Sequence, residues 1–423
     1  MILQLAGLAL LAWAAAYKNP DPLSPFERQI LILAIAAVAI VALQLVPLPW
    51  AFWSEMGPRR EIAAGYQLLG LLPNAAPLSL KPYDALASLF GIIPGLAVFC
   101  SMLRLKAYRP EWMALALLAA TLAGIVVGVM QVGSAIRPSP WYFYPETNVG
   151  SAVGFFANAN HMGILLVSCF PLLAAVAALP KAGSEQRDPA RLAFTFGGGL
   201  LVLVGVALNG SFAAYALALP VLAASALIVS KGSRRVRLWG SIGAVLLLLG
   251  SVAVLVVEPV GTEVLSEQAT VSVQSRQEIY SATSRAVGDF FPWGSGLGSF
   301  PSVYHLYEDP NHVTTTYVVH AHNDYLELAL ETGIAGIILL TLFLGCWCVA
   351  VWRVWRTAEA GPFPRAASIA TAAILAHSVV DFPLRTAAIT ASFGMFLAML
   401  AMPPVVARKL PGDLRAVRHK VLR

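Results

Sequence analysis

The sequence predicts an all-α polytopic membrane protein of about 11–12 transmembrane helices with a helical cap on its outer side. Three observations carry this. Of the 423 residues, 58% are hydrophobic and only 12% are charged, whereas a soluble domain averages about 25% charged residues. Apolar runs of roughly 18 residues or more, the length that crosses a bilayer, recur throughout the chain. These runs are continuous rather than alternating, so they specify helices and exclude a barrel, since lipid demands that backbone groups be paired internally.

Eleven spans are expected, near 2–17, 29–46, 85–103, 112–133, 161–179, 192–208, 212–229, 238–257, 334–352, 366–380 and 386–404. The first, within "MILQLAGLALLAWAAAY", lacks the basic start of a secretion signal and reads as a short span. The four cysteines, Cys100, Cys169, Cys346 and Cys348, all sit inside apolar runs, where small packing residues are expected rather than a disulfide or zinc site. Orientation follows from Lys and Arg, which stay cytoplasmic. Alternate connections hold 21 of the 28. This puts the tail "RKLPGDLRAVRHKVLR" in the cytoplasm and segments 47–84, 134–160, 209–211, 258–333 and 381–385 outside. It also puts the N-terminus outside, which implies either a further preceding helix or an unusual first span. The expected units are an N-terminal bundle over 1–257, an outer loop and cap over 258–333, C-terminal helices over 334–407 and a basic tail over 408–423. Within the cap, "SRQEIYSATSRAVGDFF" reads as helix and "PWGSGLGSFPSVYHLYEDP" as turns. The charge of +6 is spread over loops and does not point to nucleic acid.

On this map the unusual polar residues share one side. Gln131 ends the fourth span; Asn158, Asn160 and His161 open the fifth; Asn209, Gly210 and Ser211 form the next outer turn. Arg276 and Arg285 are the sole Lys or Arg residues of the long outer loop. His320, His322, Asn323, Asp324 and Tyr325 lie at the start of a helix, and "HSVVDFPLR" places His377, Asp381 and Arg385 at i, i+4 and i+8. The span interiors carry no Asp, Glu, Lys or Arg. An ion-coupled transporter usually needs such groups near the midplane, so the chemistry is expected in a layer at the outer interface.

In "HAHND", Asn323 or Asp324 suits an N-cap, and Asp324 with Glu327 has capping-box spacing. His322 then sits at a helix N-terminus, where a neutral imidazole able to accept a proton is favoured over a cation. The alternatives stay open. The histidines could be interfacial residues reaching water, and Glu327 and Glu331 a solvated face. Arg276 and Arg285 could each pair with an acid of their loop or together clamp a diphosphate through forked hydrogen bonds. "HSVVDFPLR" could simply brace a helix end. "EDPNH" at 308–312 is a weak metal candidate, and no metal or other cofactor is expected.

The chain resembles the O-antigen ligase and O-antigen polymerase family of bacterial envelope glycosyltransferases. "LQLVPLPW", "VGFFANANHMG", "SRQEIYSATSRAVGDFFPWGSGLGSF", "HAHNDYLELALETGIAG" and "HSVVDFPLR" carry the resemblance, the fourth most specifically. It implies a GT-C-like helical bundle under a periplasmic cap in the bacterial inner membrane. It also implies metal-independent transfer of a glycan from an undecaprenyl diphosphate carrier to an acceptor hydroxyl. The acceptor is a lipid A–core sugar for a ligase and a carrier-linked glycan for a polymerase; a related branch glycosylates protein. By resemblance His322 and Arg276 match essential family residues. His320, Asn323, Tyr325, Arg285, Asn158, Asn160, His161, His377, Asp381 and Arg385 are the remaining substrate-binding candidates. One departure stands out: Phe212 occupies a position where ligases often carry an Arg, so Arg285 or Arg385 would have to replace that diphosphate contact. A lipid-linked glycan transporter and a catalytically inactive scaffold are the competing classes.

Overall fold

The computed structural model describes residues 2–17, 23–105, 109–136, 138–144, 147–180, 188–230, 234–256, 267–313, 317–357 and 359–401. The expected basic tail therefore lies outside the described residues. The chain opens with α1 (Ile2–Ala16) and α2 (Pro25–Gln44). A small hairpin follows, in which β1 (Pro47–Pro49) pairs antiparallel with β2 (Ala75–Pro77) around α3 (Trp50–Trp53) and α4 (Arg59–Leu68). Next come α5 (Pro82–Leu105), α6 (Pro110–Gly133), α7 (Ala159–Ala178), α8 (Pro189–Asn209), α9 (Phe212–Val229) and α10 (Arg234–Val256). Two helices follow, α11 (Glu267–Phe290) and α12 (Phe300–Tyr307), in the stretch where a cap is expected. The chain returns through α13 (Asp324–Arg356), α14 (Pro362–His377) and α15 (Ala387–Leu400).

Among the described residues eight helices are long and apolar enough to cross a membrane; α1 and α15 are apolar but shorter. This is an all-α polytopic membrane protein. Burial sorts the spans. Of the most apolar stretch of α7, 89% is buried, against 6% for α10. A helix that is apolar all round and buried all round is a core element, and α7 packs between α8, α9 and α14. The α10 flank instead presents Val245, Leu246, Leu249 and Val254 outward, as lipid contact requires. Small residues set the close approaches, as is usual where lipid supplies no hydrophobic drive between helices. A Cβ added at Gly95 would strike Thr390, and one added at Gly394 would strike the Gly95 carbonyl, so α5 and α15 nearly touch backbones.

The sequence suggests both a helix start near Tyr325 and a membrane entry near 334. Both features lie in α13. Asn323 caps it, its side chain accepting from the Tyr325 and Leu326 amides at 3.0 Å each. The expected Asp324–Glu327 capping box is absent, because Asn323 rather than Asp324 is the N-cap, which puts Leu326 at the third helical position. Gly333 then interrupts the helix with φ 58° and ψ −146°, a conformation essentially restricted to glycine. A Cβ there would collide with the Pro292 carbonyl oxygen. Gly333→Ala should therefore cost at least about 1–3 kcal/mol, seen as a lowered thermal midpoint of the purified protein. Gly345→Ala, which meets open space, should show no such loss.

Candidate active site

Contacts between element ends assemble one polar layer. The Gln131 side chain donates to the Trp141 and Gly154 carbonyls and accepts from the Val153 and Gly154 amides, which folds the loop between α6 and α7. Asn158 caps α7 by accepting from the Asn160 amide. Asn160 accepts from Ser211 at 2.6 Å, and Asn209 donates to the Ala152 carbonyl, tying in α8 and α9. The His161 ring meets the Thr386 hydroxyl at 2.8 Å, tying in α15. At the other end, the Asp324 amide donates to the Ser378 carbonyl, so α13 starts where α14 ends. The dispersed polar clusters thus face one side of the bundle.

At the centre of this layer stands Phe382. Its ring contacts three imidazoles, with centroid distances of 4.2 Å to His320 and 5.0 Å to both His322 and His161. Two of these histidines have carboxylate partners. His322 Nδ1 lies 3.0 Å from Asp381 Oδ1, and His320 Nδ1 lies 2.9 Å from Glu327 Oε1. A carboxylate can only accept, so in each neutral pair Nδ1 carries the proton and Nε2 keeps its lone pair. Asp381 is fully buried whereas the His322 side chain is 31% exposed, so the imidazole is reachable and its carboxylate partner is not. Burial pushes the Asp381 carboxyl up, but the His322 hydrogen bond and the neighbouring His322, His161 and His377 imidazoles outweigh it. They hold the group below the usual carboxylate range. His322 also adopts φ 50°, a conformation that is uncommon outside glycine and tends to cluster at functional sites.

Arg276 approaches from α11. Tyr280, one turn further on, donates its hydroxyl to the His322 carbonyl at 2.8 Å. Burial pushes that phenol up to about 12, with Arg276 opposing and Asp381 adding to the effect, so it is a neutral donor. Arg276 is half-buried, within electrostatic reach of Tyr280 and His377.

The other two arginines are placed differently. Arg285 is nine residues from Arg276, two and a half helical turns, and so lies on the opposite face of α11. There it donates to Ser281 and the Tyr307 carbonyl, beside a separate cavity of about 280 Å³. Arg385 is held by three carboxylates, Glu331 at 2.9 Å, Glu327 at 3.0 Å and Asp324 at 3.7 Å. Its burial would lower its pKa, but those carboxylates raise it above the ordinary arginine value. Glu327 and Glu331 are buried rather than a solvated face. Phe212 is half exposed with its ring edge-on to Tyr215. Neither Arg285 nor Arg385 is free to stand in at that position. Asn158, Asn160 and Asn323 spend their side chains on caps and crosslinks, and the Tyr325 hydroxyl donates to the Leu375 carbonyl at 2.6 Å. His377 is fully buried behind Asp381. Asp309 and Glu308, from the weak metal candidate, cap a turn and pair with His305.

Residues 197–341, running from α8 into α13, match the family model described as O-antigen ligase. That match supports an assignment to the O-antigen ligase/polymerase family. A comparison with curated proteins finds no match. The O-antigen ligase match contains Arg276, Tyr280, His320 and His322, while Asp381 and Phe382 lie beyond it. Sequence reasoning passed over Tyr280 and Phe382. The first was signalled by its i+4 spacing from Arg276. The second was signalled only by its place inside "HSVVDFPLR".

Proposed function

We propose that the protein is an O-antigen ligase-type glycosyltransferase of surface polysaccharide assembly, acting at the outer face of the inner membrane. In this reading it moves a glycan from an undecaprenyl diphosphate carrier onto a hydroxyl of lipid A–core or another glycan. The observation that supports it is the His322–Asp381 pair, with Nε2 unengaged among the described residues, on the α13 start that Tyr280 ties to the helix carrying Arg276. His322 Nε2 takes the proton of the acceptor hydroxyl. The oxygen attacks the anomeric carbon as the bond from that carbon to the diphosphate oxygen breaks. The bonding electrons leave with the diphosphate, whose added negative charge Arg276 stabilises. The proton on His322 then passes to the diphosphate or to water. Asp381 keeps the imidazole in the accepting tautomer. Both bonds exchanged are carbon–oxygen bonds and the leaving group is already activated, so the step needs no nucleotide.

The test is transfer from purified carrier-linked glycan to a lipid A–core acceptor, with and without chelator. Transfer should survive chelation and be lost in His322→Ala. Arg276→Ala should lower it by roughly 10²–10³, the usual cost of removing one charge-stabilising donor. Full turnover in either variant would remove the mechanism, and loss on chelation would replace it with a metal-dependent one. If transfer occurs to a second carrier-linked glycan but not to lipid A–core, the enzyme is a polymerase.

A further inference from the structure

A second cavity lies in the same layer but outside the bundle. It measures about 440 Å³ and lies between the hairpin, α4 and α12. One wall is aromatic: Trp50 stacks on Trp53 with ring centroids 5.0 Å apart and takes the edge of Tyr66 at 5.7 Å. Trp53 is fixed by its indole N–H, which donates to the Pro77 carbonyl at 2.8 Å. Tyr66 stays 41% exposed. Ser79 and Ser302 supply hydroxyls, and exposed Lys81 supplies a cation that has no ion-pair partner among the described residues.

We infer that this cavity binds a sugar segment bearing an anionic group, a phosphate or carboxylate, as the extended arm of the acceptor glycan. Flat apolar ring faces beside hydroxyls suit the two-sided character of a pyranose, and Lys81 complements its negative charge. An isoprenoid tail fits less well, because hairpin, α4 and α12 are not spanning segments and only Pro82, at the head of α5, belongs to one. The cavity is also rigidly coupled to the reaction centre. The Leu80 amide donates to the Ser295 carbonyl, and the Gly296 amide to the Glu331 carbonyl. The first amide of α12, at Phe300, donates to the Glu331 carboxylate, which holds Arg385. An acceptor whose reacting hydroxyl sits at His322 has further sugars to place, and this is a built site for them. The assignment to the acceptor rests on the transferase reading; the binding itself does not.

The experiment is calorimetric titration of the full chain in lipid nanodiscs. The probes are phosphate-bearing, deacylated lipopolysaccharide core oligosaccharide, the same oligosaccharide after phosphate removal, and farnesyl diphosphate. The native chain should bind the phosphorylated oligosaccharide. Trp50→Ala and the cavity-filling Ser302→Trp should each weaken binding at least tenfold. Lys81→Gln should weaken the phosphorylated probe at least threefold and leave the dephosphorylated probe unchanged. His322→Ala should bind like the native chain, which separates this site from the reaction. Native-like binding by both Trp50→Ala and Ser302→Trp, with unaltered thermal midpoints, would overturn the assignment. So would absence of oligosaccharide binding, or its displacement by farnesyl diphosphate. Should His322→Ala retain transfer, the transferase reading falls while the binding result stands.

Discussion

His322→Ala should lower glycan transfer by about 10²–10⁴, the usual contribution of a positioned general base. Asp381→Asn should cost nearly as much, and the double variant should be little worse than either alone. The reason is geometric. Asp381 touches no substrate, being fully buried, and acts only through the 3.0 Å contact to Nδ1. An amide in its place can still accept a hydrogen bond but no longer supplies the charge that stabilises the imidazolium formed when Nε2 takes the acceptor proton. Groups that act as one unit show this non-additivity. Independent roles would instead multiply, and a double variant as impaired as the product of the two single losses would refute the pairing. Stability carries a second signature. The folded pKa of Asp381 lies below its unfolded value, so ionisation favours the folded state. That contribution is complete above the unfolded carboxylate value of about 3.9 and fades as pH falls through it toward the folded value. The stability difference between the native chain and Asp381→Asn should therefore narrow on acidification below about pH 4.

How much of this was legible in the chain can be traced residue by residue. The spans were legible because a bilayer imposes length and apolarity locally. The shared side of the polar clusters was legible too, since alternating spans fix which ends coincide. The pairings were not. Asp381 is 59 residues from His322, and their contact depends on how the end of α14 meets the start of α13. Glu327 and Glu331 looked like a wet face because nothing within a helical turn neutralises them; their partner, Arg385, lies 54 residues from Glu331. The separation of Arg276 from Arg285 was available from helical period alone, once a helix is granted across both positions. Phe382 had no signal as a platform for three histidines, because ring contacts between distant segments leave no local pattern.

Arg385→Met should destabilise the protein by about 3–5 kcal/mol, the usual cost of removing one partner from a buried ion pair. Asp324, Glu327 and Glu331 converge on this guanidinium, and without it three carboxyl groups would share an interior site without the arginine that compensates them. Arg385→Lys should recover only part of the loss, since an ammonium is a point charge and cannot fork to acids on successive turns of α13. The neutralised pair Glu331→Gln with Arg385→Gln should be more stable than Arg385→Met, because it removes charge and counter-charge together. The asymmetry matters more than any single value: a buried ion pair adds little over a well-packed neutral substitute, yet breaking one side is costly. The network is therefore better understood as a device that fixes geometry. Glu327 receives the Ala321 amide at 2.8 Å as well as the His320 ring, and Asp324 receives the Leu384 amide. One cation thus sets the register between the loop that carries both histidines and the turn that carries Asp381 and Phe382. Equilibrium unfolding of purified variants measures the cost. A loss below about 1 kcal/mol for Arg385→Met, the scale of an exposed pair, would show that water reaches these carboxylates and that they do not hold the site together.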